Sequence, residues 1–223
     1  MAAGRHKGTL EDYYARRANE YEEIYHRDDP QRQKEQLEIQ LSIKEAIKGA
    51  DVLEVACGTG YWTQFASETA HSIVATDFNQ EVLDIAKRKK CSCPVSLIKA
   101  DAYNLPFEPG TFTGGLANFW FSHVPKNRIG DFLNGFHKTL KAGSYVFMAD
   151  NMNVAGIGGD LLSKEGDENT YKLRTLKDGT QQEILKNYFT KEELLQIFQK
   201  YDPALTGNNI SVGQCFWYIK YKI

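Results

Sequence analysis

Val52-Leu53-Glu54-Val55-Ala56-Cys57-Gly58-Thr59-Gly60 joins an apolar run to a glycine turn. Asp51–Ala56 is a short, mostly apolar run with the length of a buried strand. It leads into two glycines one residue apart, and Tyr61–Ala70 then reads as a helix. A glycine turn lets backbone amides approach a ligand with no Cβ in the way. The helix start after it adds exposed N–H donors.

Outward from this unit, strands and helices alternate. Ser72–Thr76, Val95–Ala100, Phe112–Asn118 and Ser144–Ala149 are predicted strands. Glu81–Lys90 and Lys126–Leu140 are the helices between them, and Lys141-Ala142-Gly143 is a turn. Strands separated by helices of this length imply βαβ units and a parallel sheet. Residues 10–26, with Leu10, Tyr14, Tyr21 and Tyr25 at helical spacing, and residues 31–48, with Leu37, Leu41, Ile43 and Ile47 on or near one face, are helices that precede it. Residues 151–169 read as a loop. Thr170–Leu176 and Thr180–Leu185 flank Lys177-Asp178-Gly179, a hairpin signal. Thr190 and Glu193 form a capping box for a helix over 191–200. Gln214–Ile223 is a β-type run expected to pair near Ala204–Val212.

Composition bounds the rest. The 223 residues carry 27 Lys plus Arg and 29 Asp plus Glu, a net charge of −2, and 42% are hydrophobic. This is a globular chain, long enough for a real core. Near-neutral charge argues against general nucleic-acid binding. No run approaches the roughly 20 apolar residues of a membrane helix, and the N-terminus lacks the apolar segment of a signal peptide. Cys57, Cys91, Cys93 and Cys215 fit neither a disulfide framework nor a zinc site, so free thiols, a cytoplasmic location and no metal are expected.

Three residues stand at informative distances from the turn. Asp77 ends the second strand, where an acid can accept hydrogen bonds from both hydroxyls of a ribose; a helix cap is the structural alternative. Asp101 ends the third strand, where it can accept from an exocyclic adenine amine or start a turn. Glu54 lies inside the first strand, awkward beside a pyrophosphate and suited to a cationic ligand. A dinucleotide site of the Gly-x-Gly-x-x-Gly type would need glycine at position 63, which is Thr.

These residues resemble the class I S-adenosylmethionine-dependent methyltransferases, in particular the small-molecule, type 11/25-like ones. The resemblance covers about residues 50–150. It rests on Glu54–Gly60, Asp77, Asp101-Ala102 and Leu140-Lys141-Ala142-Gly143-Ser144, where Ala142 and Ser144 depart from the usual Leu-x-Pro-Gly-Gly. It implies that Glu54, Ala56, Gly58 and Gly60 surround the amino-acid end of S-adenosylmethionine. Asp77 would then hold the ribose, Asp101 and Ala102 the adenine, and Asn118 the methionine portion, with Phe78 also binding the cofactor. Tyr14 and Arg17 would come from a capping helix. The product would be S-adenosylhomocysteine. The implied fold is a Rossmann-like, doubly wound seven-stranded α/β sheet, mostly parallel, with an antiparallel C-terminal strand.

His123, leaving the carboxyl end of strand four, is the candidate base, since an imidazole there can take a proton near neutral pH; capping the next turn or packing on Trp120 is the alternative. Phe119, Trp120 and Phe121 wall an acceptor pocket or belong to the core. Arg174 holds an anionic acceptor or is an exposed strand residue. A single domain over 1–223 is expected: N-terminal cap helices over 1–48, a cofactor-binding core over 49–150, an insertion or lid over 151–187, and a C-terminal helix and strands over 188–223. The expected function is methyl transfer to a small molecule by a monomer or homodimer with no nucleic-acid or membrane partner. The alternatives are an NAD(P)- or FAD-dependent Rossmann oxidoreductase and a non-catalytic, cofactor-binding partner protein.

Overall fold

A computed structural model describes residues 5–6, 13–14, 17, 22–154, 156–157, 159–176 and 179–223. Leu10 and Tyr21 of the expected first helix, and Lys177 and Asp178 of the expected turn, lie outside the described residues. Tyr13, Tyr14 and Arg17 have helical backbone.

The elements follow in this order: β1 (Arg5–His6), α1 (Pro30–Ala46), β2 (Asp51–Val55), α2 (Tyr61–Ser67), β3 (Ser72–Asp77), α3 (Gln80–Ala86), β4 (Val95–Lys99), β5 (Phe112–Asn118), α4 (Ile129–Lys138), β6 (Leu140–Asn151), β7 (Leu161–Ser163), β8 (Thr170–Thr175), β9 (Gln181–Leu185), α5 (Lys191–Phe198), β10 (Ile210–Val212) and β11 (Phe216–Lys222). Seven strands form the main sheet in the order β10-β11-β6-β5-β2-β3-β4. The neighbouring pairs β2–β3, β3–β4, β2–β5 and β5–β6 are parallel, while β11 is antiparallel to both β6 and β10. Thus β11 alone runs against the other six. The chain moves outward from β2 through β3 to β4 and then returns to the other side of β2 as β5. That reversal opens a crevice at the carboxyl ends of β2 and β5.

Alternation along β6 separates two cores. Val146 and Met148 pack with Leu53, Val55, Phe121, Phe132 and Trp217 on one face. Phe147 and Ala149 pack with Val52, Trp62, Ile39 and Ile43 on the other. Asp29 caps α1 by accepting from the Arg32 amide, and Pro30 supplies its first residue. The inward stripe of α1 is Ile39, Ile43 and Ile47, one helical turn apart. Leu37 and Leu41, expected near that face, lie off it and are 54% and 58% exposed. Glu35, on the buried side, accepts from the amides of Gln214, Cys215 and Phe216 and so fastens the start of β11 to α1.

The chain departs from expectation after β6. The segment 151–169 is not all loop: β7 pairs with β8. The β8–β9 hairpin forms as expected. β1 joins β9 in parallel, giving a second sheet ordered β1-β9-β8-β7. This small sheet is tied to the main one by a buried cluster. Lys186, just after β9, donates to Ser122 Oγ (2.5 Å) and to Asp150 Oδ1 (3.1 Å), and Asp150 also accepts from the Ser122 amide (2.8 Å). The Asn187 amide donates to Ser122 O, and its side chain to Val124 O. No helix among the described residues is long and apolar enough to cross a membrane.

Candidate active site

The turn after β2 is held in the left-handed region. Ala56, Gly58 and Gly60 have φ of 56°, 56° and 75°. A Cβ on Gly60 would meet Ala86 Cβ at 3.1 Å, so glycine lets α3 close on the turn, whereas a Cβ on Gly58 would project into open space. Ala56 carries its Cβ in a conformation that costs an L-residue of this kind on the order of 1 kcal/mol. The amides of this turn are used within the protein: Gly58 N–H donates to Asp77 Oδ2 (2.9 Å) and Gly60 N–H to Cys57 O (3.0 Å). The two glycines' own amides are thus engaged within the protein. What they give is room.

Above the turn lies a cavity of about 280 Å³ at the crevice between β2 and β5. Of the sequence candidates, Tyr14, Ala56, Gly58, Asp77, Phe78, Asp101, Ala102, Asn118, Trp120 and His123 line it. Asp77 Oδ1 accepts from the Asn79 amide (2.9 Å), so its carboxylate spans the tips of β2 and β3. Burial raises its pKa despite these backbone bonds. Asp101 Oδ1 accepts from the Tyr103 amide, a turn-starting bond, while the residue still faces the cavity. Phe78 is 45% exposed at the rim.

Glu54 and Gly60 are not among the cavity residues. Glu54 is 1% exposed behind the turn and accepts from Thr63 Oγ1 on α2 (2.7 Å). Burial, with a smaller contribution from the Asp77 charge, raises its pKa to about 8. Arg17 and Arg174 line a smaller second cavity that meets the first at Tyr14, Phe119 and His123. Phe121 is core, packed against Phe189, Phe198 and Trp217, while Phe119 and Trp120 face the first cavity.

His123 is 5% exposed. Its Nδ1 donates to Leu185 O (2.8 Å), because a carbonyl only accepts, and its bare Nε2 accepts from the Tyr14 hydroxyl (2.7 Å). Burial and then the Lys186 charge push its pKa down to about 3. The imidazole is therefore neutral and already engaged, which corrects the expectation of a base with an ordinary pKa.

Sequence reasoning missed part of the wall. Tyr25 stacks on Tyr61 (3.9 Å between centroids), accepts from Trp62 Nε1 (3.1 Å) and lines the cavity with both. Its helical spacing with Tyr14 was the available signal. Buried polar atoms at the cavity also lack partners: Thr59 Oγ1, Trp120 Nε1, and both Asn118 Oδ1 and Nδ2. Buried polar groups are nearly always paired, so this concentration marks a place for a ligand with hydrogen-bonding groups.

Residues 52–143 match the model of a methyltransferase domain. The chain is 33% identical over 113 residues to the demethylmenaquinone methyltransferase of Staphylococcus epidermidis, a match covering 48% of this chain and 45% of that protein. It is 28% identical over 175 residues to the Staphylococcus aureus protein of the same name, covering 70% and 68%. A solved DhpI–SAM–HEP complex superposes with a TM-score of 0.75 at 24% identity, over 95% of each chain. The chain has the class I methyltransferase fold, and its likeness to a methyltransferase domain covers residues 52–143. It spans about half the length of the curated relatives it matches first.

Inside this segment the protonated Glu54 has a measurable consequence. Its ordinary pKa is 4.5 and its folded value is about 8. Between those values the native chain keeps a proton that the unfolded chain has lost. The Glu54 contribution therefore falls as pH rises from about 4.5 to about 8, by at most about 1.4 kcal/mol per unit. Urea denaturation of Glu54→Gln should show this contribution removed: similar midpoints for variant and parent at pH 5, and a higher midpoint for the variant at pH 8. The same pH slope in both proteins would mean that Glu54 is ionised in the fold.

Proposed function

We propose that this chain is an S-adenosylmethionine-dependent methyltransferase acting on a small molecule. The observation that carries the reading is the set of unpartnered polar atoms on Thr59, Asn118 and Trp120, facing a cavity flanked by Asp77 and Asp101. The ligands of the DhpI complex and the names of the Staphylococcus proteins support the same choice.

The residues present suit such a cofactor. Asp77 would hold ribose hydroxyls, and Asp101 with Ala102 the adenine, beside the open ring of Phe78. Asn118 and Thr59 would hold the amino-acid end. Glu54 and Asp77 are both raised by burial, so a cation nearby would relieve both. When bound, S-adenosylmethionine supplies a methyl group on a sulfonium whose leaving group is neutral. The chain's task is then mainly alignment and exclusion of water, and alignment of this kind contributes roughly 7–11 kcal/mol in well-oriented systems.

Tyr14 and His123 divide the work at the junction of the two cavities. His123, fixed by Leu185 O, accepts the hydrogen bond of the Tyr14 hydroxyl and so sets where the phenol oxygen stands beside the acceptor space. Tyr14 is the positioning group for the acceptor, and His123 positions Tyr14. Trp120 and Phe119 wall the acceptor space. The N-terminal segment and residues 151–187 serve as a lid, since β1 and β9 pair and Leu185 reaches His123.

Isothermal titration of the full chain tests this. S-adenosylhomocysteine should bind, NADH should not, and the former should slow hydrogen exchange in residues 151–187. Tyr14→Phe should keep S-adenosylhomocysteine affinity within about threefold while lowering kcat/KM for a turned-over acceptor at least tenfold. Binding of NADH alone would replace this reading with the oxidoreductase one. Binding of S-adenosylhomocysteine with no turnover across an acceptor panel would favour the non-catalytic alternative.

A further inference from the structure

The second cavity is small, about 70 Å³, and its lining is charged. Arg17, Arg27, Arg32 and Arg174 face it from the N-terminal segment, the stretch before α1, α1 itself and β8. No Asp or Glu is among its described lining residues. Lys186, also there, is neutralised by Asp150 (3.1 Å). Arg27, Arg32 and Arg174 make no ion pair among the described residues.

Two of these guanidinium groups each keep a buried Nε without a partner. Arg32 is 5% exposed, its Nε has no partner, and its guanidinium lies 4.5 Å from the centre of the Phe216 ring. The Nε of Arg174 is buried and unpartnered too. Glu35, the acid on the buried side of α1, has both oxygens committed to Gln31 and to the backbone of 214–216. The arginines also act on one another: burial, and then the charges of Arg32, Arg17 and Arg174, lower the pKa of Arg27. Holding like charges together with buried, unpaired N–H groups is costly unless something of opposite charge completes the arrangement.

We infer that this cavity binds the anionic head of the methyl acceptor, a doubly charged tetrahedral oxyanion of the phosphate or phosphonate type. Guanidinium forks match such oxygens two at a time, and several arginines balance more than one negative charge. The cavity shares Tyr14, Phe119 and His123 with the first, so a head held here lies next to the space beside Tyr14. The same lining is unsuited to a neutral, apolar group. The inference rests on the methyltransferase reading, because it assigns the head of that enzyme's acceptor, but the anion site itself can be measured without turnover.

The probe is inorganic phosphate, titrated into the full chain with and without saturating S-adenosylhomocysteine, with acetate as the singly charged planar control. Phosphate should bind saturably and at least tenfold more tightly than acetate. Arg174→Gln and Arg27→Gln should each weaken phosphate at least tenfold while leaving S-adenosylhomocysteine affinity within about twofold. Two separate positions guard against one variant failing to fold. Absence of saturable phosphate binding, indifference to both substitutions, or equal binding of acetate would overturn the inference. With normal S-adenosylhomocysteine binding, that failure is confined to the anion site. Failure of the unaltered protein to bind S-adenosylhomocysteine would instead bring down the methyltransferase reading and this assignment with it.

Discussion

One carboxylate fixes the geometry on which the site depends. Asp77, at the tip of β3, accepts from Gly58 in the turn after β2 and from Asn79 before α3. These bonds lock the tips of β2 and β3 together, beside the crevice where the sheet order reverses between β2 and β5. The turn can then hold three alternate left-handed positions, at Ala56, Gly58 and Gly60, with Ala86 of α3 close against the last. The cavity is the space this locked turn leaves above it. Desolvation of Asp77 and of Glu54 behind it makes the floor of that space receptive to positive charge.

From this floor the structure builds outward in two directions. Toward β4, Phe78, Asp101 and Ala102 form a flat and polar end. Toward β5 and β6, Asn118, Phe119, Trp120 and His123 form the other end, roofed by Tyr14 and backed by β9. The buried Lys186–Asp150–Ser122 cluster sets that second end, because it binds the segment after β5 to the end of the small sheet. Breaking such a cluster at one member typically costs about 3–5 kcal/mol, since the remaining charge stays buried. The second cavity lies beside this construction, and its arginines come from the N-terminal segment, the start of α1 and β8.

Much of the main sheet was legible in the chain. The strand over Phe112–Asn118 matches its expected bounds, and β2, β3 and β4 fall within a residue of theirs, because buried parallel strands are short apolar runs between turns. Asp77 and Asp101 were legible because strand tips in such sheets face the crevice. Glu54 was harder: its position in a strand says that it is inside, while its turn toward Thr63 depends on how α2 packs. The state of His123 was not legible, since its two partners, Tyr14 and Leu185, are remote in sequence. The same holds for the arginine cavity, of which only Arg174 and Arg17 stood out singly. Leu37 and Leu41 misled because the stripe that faces inward on α1 includes Arg32, Glu35 and Gln36, polar residues with buried work to do.

On the proposed reading, the polar atoms of Thr59, Asn118 and Trp120 at the crevice find their partners in a bound nucleoside. Asn118→Leu tests this directly, by comparing thermal stability of the free chain with affinity for S-adenosylhomocysteine. The account predicts a free protein at least as stable as the parent, since an unsatisfied buried amide is removed, together with affinity reduced at least tenfold. Unchanged affinity would contradict it.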